Sequence, residues 1–191
     1  MSGPEPERYK RRSIRLVWHD YGSAGAYFVT ICARGKECIF DMPELRDAVE
    51  EAWHQIPFHL PNARLDESVV MPNHVHGILW ILEGNVVGAQ HAAPLHGRRA
   101  FAVKPGSLGA IVRSFKAAAA RRVNVIRRTP GAPLWQRNYY ERVIRNDDEL
   151  SSIRQYIHVN PLKWDLDREN PRHVASREYA SQWGWLEGGQ E

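Results

Sequence analysis

The chain has 191 residues, 43% of them hydrophobic and 25% charged, enough for one domain with a full core; this argues against a disordered chain, and no apolar run approaches the roughly 20 residues of a membrane span. The formal net charge of +4 conceals a local imbalance: no Asp or Glu occurs between Glu83 and Glu141, while Arg98, Arg99, Lys104, Arg113, Lys116, Arg121, Arg122, Arg127, Arg128 and Arg137 all fall in that window. A one-sign block of this kind builds a field suited to nucleic acid. The opening MSGPEPERYKRRSIRL lacks the apolar stretch and cleavage site of a secretory signal, so the cytoplasm is the expected compartment. Cys32 and Cys38 lack zinc-site spacing and read as small buried hydrophobes.

In chain order, residues 1–25 read as a basic, extended arm. AYFVTICAR, Ala26–Arg34, is β-branched and aromatic between glycines and predicts the first strand. Leu45, Ala48, Val49, Ala52, Trp53 and Ile56 recur at helical spacing, predicting an amphipathic helix that Pro57 stops. ARLDESVVM is a less regular strand, Pro72-Asn73 marks a break, and HVHGILWIL is the next strand, so the two form a hairpin. The stretch at about 83–106 mixes Gly, Ala, Pro and His without a period and reads as a mobile surface loop, His91 and His96 being loop residues. From Leu108, a stripe of Ile111, Val112, Phe115 and Ala119 predicts a helix, with Arg113, Lys116 and Ala120 beside that stripe. NYYERVIR, Asn138–Arg145, is a further strand. Asn146 and Asp147 are candidate N-caps for a helix over DELSSIRQYIHVN, ended by Pro161. The order β-α-β-β-α-β-α predicts an α+β fold: a ferredoxin-like βαββαβ core, with an antiparallel sheet carrying two helices on one face, plus a C-terminal helix. Residues 26–164 form the single domain and 165–191 a tail.

Two features carry chemistry. His74 and His76 stand two apart on a strand, so both imidazoles point to one side. Tyr156 and Asn160 stand four apart on the last helix, one above the other, with Asn160 just before Pro161. Two neutral imidazoles and an amide oxygen make a three-point site with open positions for Mg²⁺ or Mn²⁺. Such an ion can grip a phosphodiester oxygen while Tyr156 attacks phosphorus in line, giving a phosphotyrosine ester that keeps the energy of the broken bond and so can be reversed onto a new 3′-hydroxyl. Arg113, Lys116, Arg121 and Arg137 are the candidate DNA-binding residues. Trp135, Tyr139 and Tyr140 read equally as stacking platforms for unpaired bases or as core. Arg154 finds no acidic partner at helical spacing, and His158 faces away from Tyr156.

VVMPNHVHGILW, GAIVRSFKAA, LWQRNYYERVIRNDDEL and IRQYIHVNPLKW, in this order, resemble the REP-associated tyrosine transposases, single-tyrosine transposases of the HUH superfamily. The resemblance runs from about Arg11 to about Trp164. It implies a ferredoxin-like core and metal-dependent cleavage and rejoining of single-stranded DNA near hairpins or palindromic repeats, with His74 and His76 as the metal-binding pair, Tyr156 as the nucleophile and Asn160 completing the metal site. It implies a monomer or a homodimer and no membrane partner. The rival readings are a catalytically silent hairpin-binding or regulatory protein derived from a transposase, and a hydrolase that activates water. The second needs a general base near the metal, and the sequence supplies no acidic residue adjacent to the pair.

Overall fold

The computed structural model describes residues 22–83, 104–167 and 170–171. The basic arm, the interior of the 83–106 loop with His91, His96, Arg98 and Arg99, and most of the tail lie outside the described residues. Four strands, β1 (Gly25–Cys32), β2 (Ala63–Met71), β3 (His74–Ile81) and β4 (Tyr140–Ile144), form one sheet in the order β2-β3-β1-β4, and every neighbouring pair is antiparallel. With α1 (Pro43–His54) and α3 (Leu108–Ile126) as its two crossovers, this is the expected ferredoxin-like arrangement. Pro57 does not end the first helix: α1 stops at His54, and Pro57 sits in the first turn of a short α2, Ile56–His59, where its missing N–H costs nothing. α4 (Asp147–Val159) is capped by Asn146, whose side chain accepts from the Glu149 N–H at 2.8 Å. Among the described residues no helix is long and apolar enough to cross a membrane.

Alternation along the strands sorts the side chains into two clusters. Tyr27, Val29, Ile31, Val75 and Leu79 face α1 and α3 and form the larger core with Leu45, Val49, Trp53, Ile111 and Phe115. Gly77 belongs to this face because a Cβ there would overlap the Trp53 ring. Ala26, Phe28 and Ile78 face the other way and are covered by Leu150, Ile153, Tyr156 and Ile157 of α4. α4 is therefore a third layer, and its inner face looks onto the even-numbered positions of β3, the histidines among them.

The irregularity of β2 has a definite cause. Its register with β3 shifts between Leu65 and Ser68, so Asp66 and Glu67 both stand where one residue would. Leu65 and Val70 both face the larger core although an odd number of positions separates them, and the extra residue restores the phase. The bulge also turns Asp66 toward α4, where it accepts from Arg154 Nε at 2.8 Å, Arg154 Nη2 at 2.7 Å and Trp80 Nε1 at 2.9 Å.

Candidate active site

β3 begins at His74, directly after the Pro72-Asn73 turn. The Nε2 atoms of His74 and His76 face each other at 2.9 Å, and both rings are buried. Each Nδ1 is engaged from behind, that of His74 by Asn73 Oδ1 at 2.8 Å and that of His76 by Thr30 Oγ1 at 2.9 Å. Thr30 is the residue opposite His76 in the β1–β3 ladder. Tyr156 comes from α4 and brings its hydroxyl to 3.2 Å from His76 Nε2. Its ring is held edge-on to Phe28.

Asn73 sets the proton pattern. Its Nδ2 donates to the Lys36 carbonyl at 3.0 Å, so the atom turned to His74 is Oδ1, which can only accept. His74 therefore carries its proton on Nδ1 and leaves Nε2 as a bare lone pair. Burial pushes the His74 imidazolium well below its usual range; His76 and Lys36 push the same way, against Asp167. The Thr30 hydroxyl can accept as well as donate, so His76 can present its Nε2 in the same form. Neutral imidazoles fixed through their second nitrogens are in the state in which histidine binds a metal. Two nitrogens each roughly 2.1 Å from one ion, at right angles, stand about 3 Å apart, close to the separation here.

A third group at the site escaped the sequence reading. Asp167 is buried, with Oδ2 at 3.6 Å from His74 Nε2 and 4.0 Å from His76 Nε2, and the ligand atoms of the three residues lie within 4.8 Å of one another. The expectation that no acidic residue stands near the pair is thereby overturned. Pro161 stops α4 but not the chain's winding: a 3-10 segment, Asn160–Leu166, follows at once and carries the chain back to the histidines, with the Asp167 N–H bonded to the Trp164 carbonyl at 3.1 Å and the Trp164 ring 6.0 Å from that of His74. The segment read as a tail from residue 165 thus begins by contributing to the site. Asn160, one turn after Tyr156, is also buried, and among the described residues neither atom of its amide has a hydrogen-bond partner. A buried unpaired amide costs about 1–3 kcal/mol. Two imidazoles and a carboxylate form a donor set that fits a divalent ion.

The remaining candidates separate. Arg113 and Arg121 are exposed on α3, across the sheet from the His pair. Lys116 is half-buried and donates to the carbonyls of Gln136 and Asn138, while Arg137 is exposed. Trp135 packs against Phe40 and Phe115 and Tyr140 edge-on against Phe28, so both serve the core. Arg154 pairs with Asp66 across 88 positions, a partner that helical spacing cannot reveal. His158 is exposed, and Cys32 and Cys38 are not joined in a disulfide and are partly exposed rather than buried.

An uncharacterized protein of Haemophilus influenzae (strain KW20 / Rd) is 39% identical over 174 residues, 84% of this chain and 93% of its own length. The chain belongs to that protein's family. No family model matches it. In fold it is similar to a solved structure described as a REP-associated tyrosine transposase bound to a REP hairpin, with a TM-score of 0.53 and 19% identity over 83% of this chain and 74% of that one. A candidate transposase from Deinococcus radiodurans R1 compares at a TM-score of 0.44, with 18% identity over 80% of this chain and 94% of that one. The chain thus shares its fold with the first of these structures.

Proposed function

We propose that this chain is a single-stranded DNA endonuclease and strand transferase that works at hairpin or palindromic repeats through a covalent 5′-phosphotyrosine, with Tyr156 as nucleophile and one divalent ion per site. The observation that carries the reading is the meeting of the Tyr156 hydroxyl with the facing Nε2 atoms of His74 and His76. The fold shared with a transposase bound to a REP hairpin supports the choice of substrate.

His74, His76, Asp167 and the amide oxygen of Asn160 are the residues that would hold the ion. When bound, the ion supplies Lewis-acid polarisation of a phosphodiester oxygen. Of the ions expected, Mn²⁺ suits two imidazoles beside oxygen donors better than Mg²⁺. A phenol with a pKa near about 10 is a weak nucleophile until it is aligned. Phe28 and His76 fix the plane of the Tyr156 ring, and Ile153 and Ile157 anchor its helix. Tyr156 Oη forms the new bond to phosphorus, the bond from phosphorus to the 3′ oxygen breaks, and the proton lost by the phenol is balanced by the one taken up by the leaving 3′ oxygen. Attack by another 3′-hydroxyl runs the step backward and joins strands.

Asp167 favours a second reading, hydrolysis by water with that carboxylate as general base. One experiment separates the two: a denaturing gel of protein with labelled single-stranded hairpin DNA, Mn²⁺ or chelator, and Tyr156→Phe. The expected outcome is label on the protein only with metal and only with Tyr156. Cleavage that persists in Tyr156→Phe without an adduct would assign the chemistry to water, and hairpin binding with no cleavage under any condition would assign a silent binder.

A further inference from the structure

The two partners of β1 differ in regularity. β3 runs beside it in unbroken register from Gly25↔Ile81 to Cys32↔His74. On the other side, pairing with β4 holds as far as Thr30↔Tyr140, and the next pair is Ala33↔Trp135. That is a step of three positions along β1 against five along its partner, so two surplus residues bow out of the edge between Trp135 and Tyr140.

The bow is pinned from the α3 side. Lys116 Nζ donates to the carbonyls of Gln136 and Asn138, both at 2.9 Å, and lies 5.6 Å from the centroid of the Tyr139 ring. The Trp135 indole donates to the Lys116 carbonyl at 3.0 Å. The Gln136 N–H bonds to the Cys32 carbonyl at 2.9 Å, and Cys32 pairs with His74. The bow therefore stands two strand spacings, about 10 Å, from the histidine pair. Arg137 and Asn138 are exposed at its crest, and among the described residues no hydrogen bond or ion pair to the Arg137 side chain is found. Arg113, exposed on α3, precedes Lys116 by one turn and sits on the same flank.

We propose that this Lys116-pinned bow, residues 136–139, is an edge on which the sugar-phosphate backbone of the single strand lies as it approaches Tyr156, with Arg137 as the phosphate contact and Lys116 as a positioning residue that does not touch DNA. Lys116 is spent on two carbonyls and a ring, and burial pushes its ammonium down to about 8, as befits a group withdrawn from water. Arg137 keeps its full fork of donors for phosphate. The inference rests on the single-stranded DNA reading above and assigns a second, non-reacting part of that surface.

The test is fluorescence anisotropy with a labelled DNA hairpin carrying an unpaired tail, in chelator so that nothing is cut, at several salt concentrations. Arg137→Ala should weaken binding about tenfold and reduce the slope of log K against log salt by about 1. Lys116→Met, or the milder Trp135→Phe should the first fail to fold, should weaken wild type but add no further loss in the Arg137→Ala background, because it acts through Arg137. Additive losses, with a slope lowered by about 2 in the double variant, would make Lys116 a direct contact and overturn its positioning role. Wild-type affinity in Arg137→Ala would overturn the edge while leaving the transferase reading intact. Binding that follows this pattern in a protein that forms no adduct would defeat that reading and leave the edge standing.

Discussion

Asn73 uses both ends of one amide, accepting from His74 and donating to the Lys36 carbonyl, and its replacement tests the proton pattern of the pair directly. Asn73→Leu should weaken Mn²⁺ binding about 10–100-fold, read as free Mn²⁺ by electron paramagnetic resonance titration, whereas Asn73→Asp keeps an acceptor toward His74 and should retain more affinity. Unchanged affinity in the Leu variant would show that packing alone orients the ring. The pair itself is legible in the sequence because strand alternation is a two-residue rule, and the shared face of Tyr156 and Asn160 because helical spacing is a four-residue rule. Asp167 obeys no such rule. It reaches His74 only because the chain keeps winding after Pro161, and proline, which disfavours helix in the residue before it, starts a helical turn as readily as it follows one.

Among the elements, β2 was the hardest to read, since its period of two fails at Asp66-Glu67, where the bulge changes its phase. The same bulge makes the clamp between β2 and α4. Arg154 holds the Asp66 carboxyl well below the usual carboxylate range through two hydrogen bonds, with the Trp80 indole adding a third and burial opposing them. A depressed carboxylate contributes stability that is complete above its unfolded value and lost as the pH falls through its folded one. Arg154→Met should lower stability by roughly 1 kcal/mol at neutral pH, a figure kept small by the exposure of the guanidinium. The difference from wild type in urea melts should shrink once the pH drops below about 4. A gap that shows no decrease down to about pH 2 would mean that Arg154 acts through its aliphatic stem. α4 was legible nearly to the residue because Asn146 caps it locally, and the start of α3 because its apolar stripe begins at Leu108. β4 shrank from the expected eight residues to Tyr140–Ile144 because its first residues left the ladder for Lys116.

For the molecule as a whole, the order of elements was enough to anticipate a sheet with two helices on one face. That α4 would roof the other face was not legible, because an amphipathic helix carries no mark of which surface it covers. The two faces are unequal. The α1/α3 side buries a broad cluster running from Tyr27 to Leu134, whereas the α4 side rests on Ala26, Phe28, Ile78 and four residues of α4 itself. Hydrogen exchange without DNA should accordingly release the amides of α4 well before those of α1 and α3, since the layer with less buried area opens at lower free energy. Equal protection of the three helices would contradict this. Tyr156 is 2% exposed, so on the proposed reading a phosphodiester would meet its hydroxyl only in molecules whose α4 layer has lifted, and the apparent dissociation constant for that encounter would be the intrinsic one divided by their fraction. On that reading stability and capture oppose each other in this fold: a substitution that fills out the small cluster should raise the melting temperature and at the same time deplete the open form.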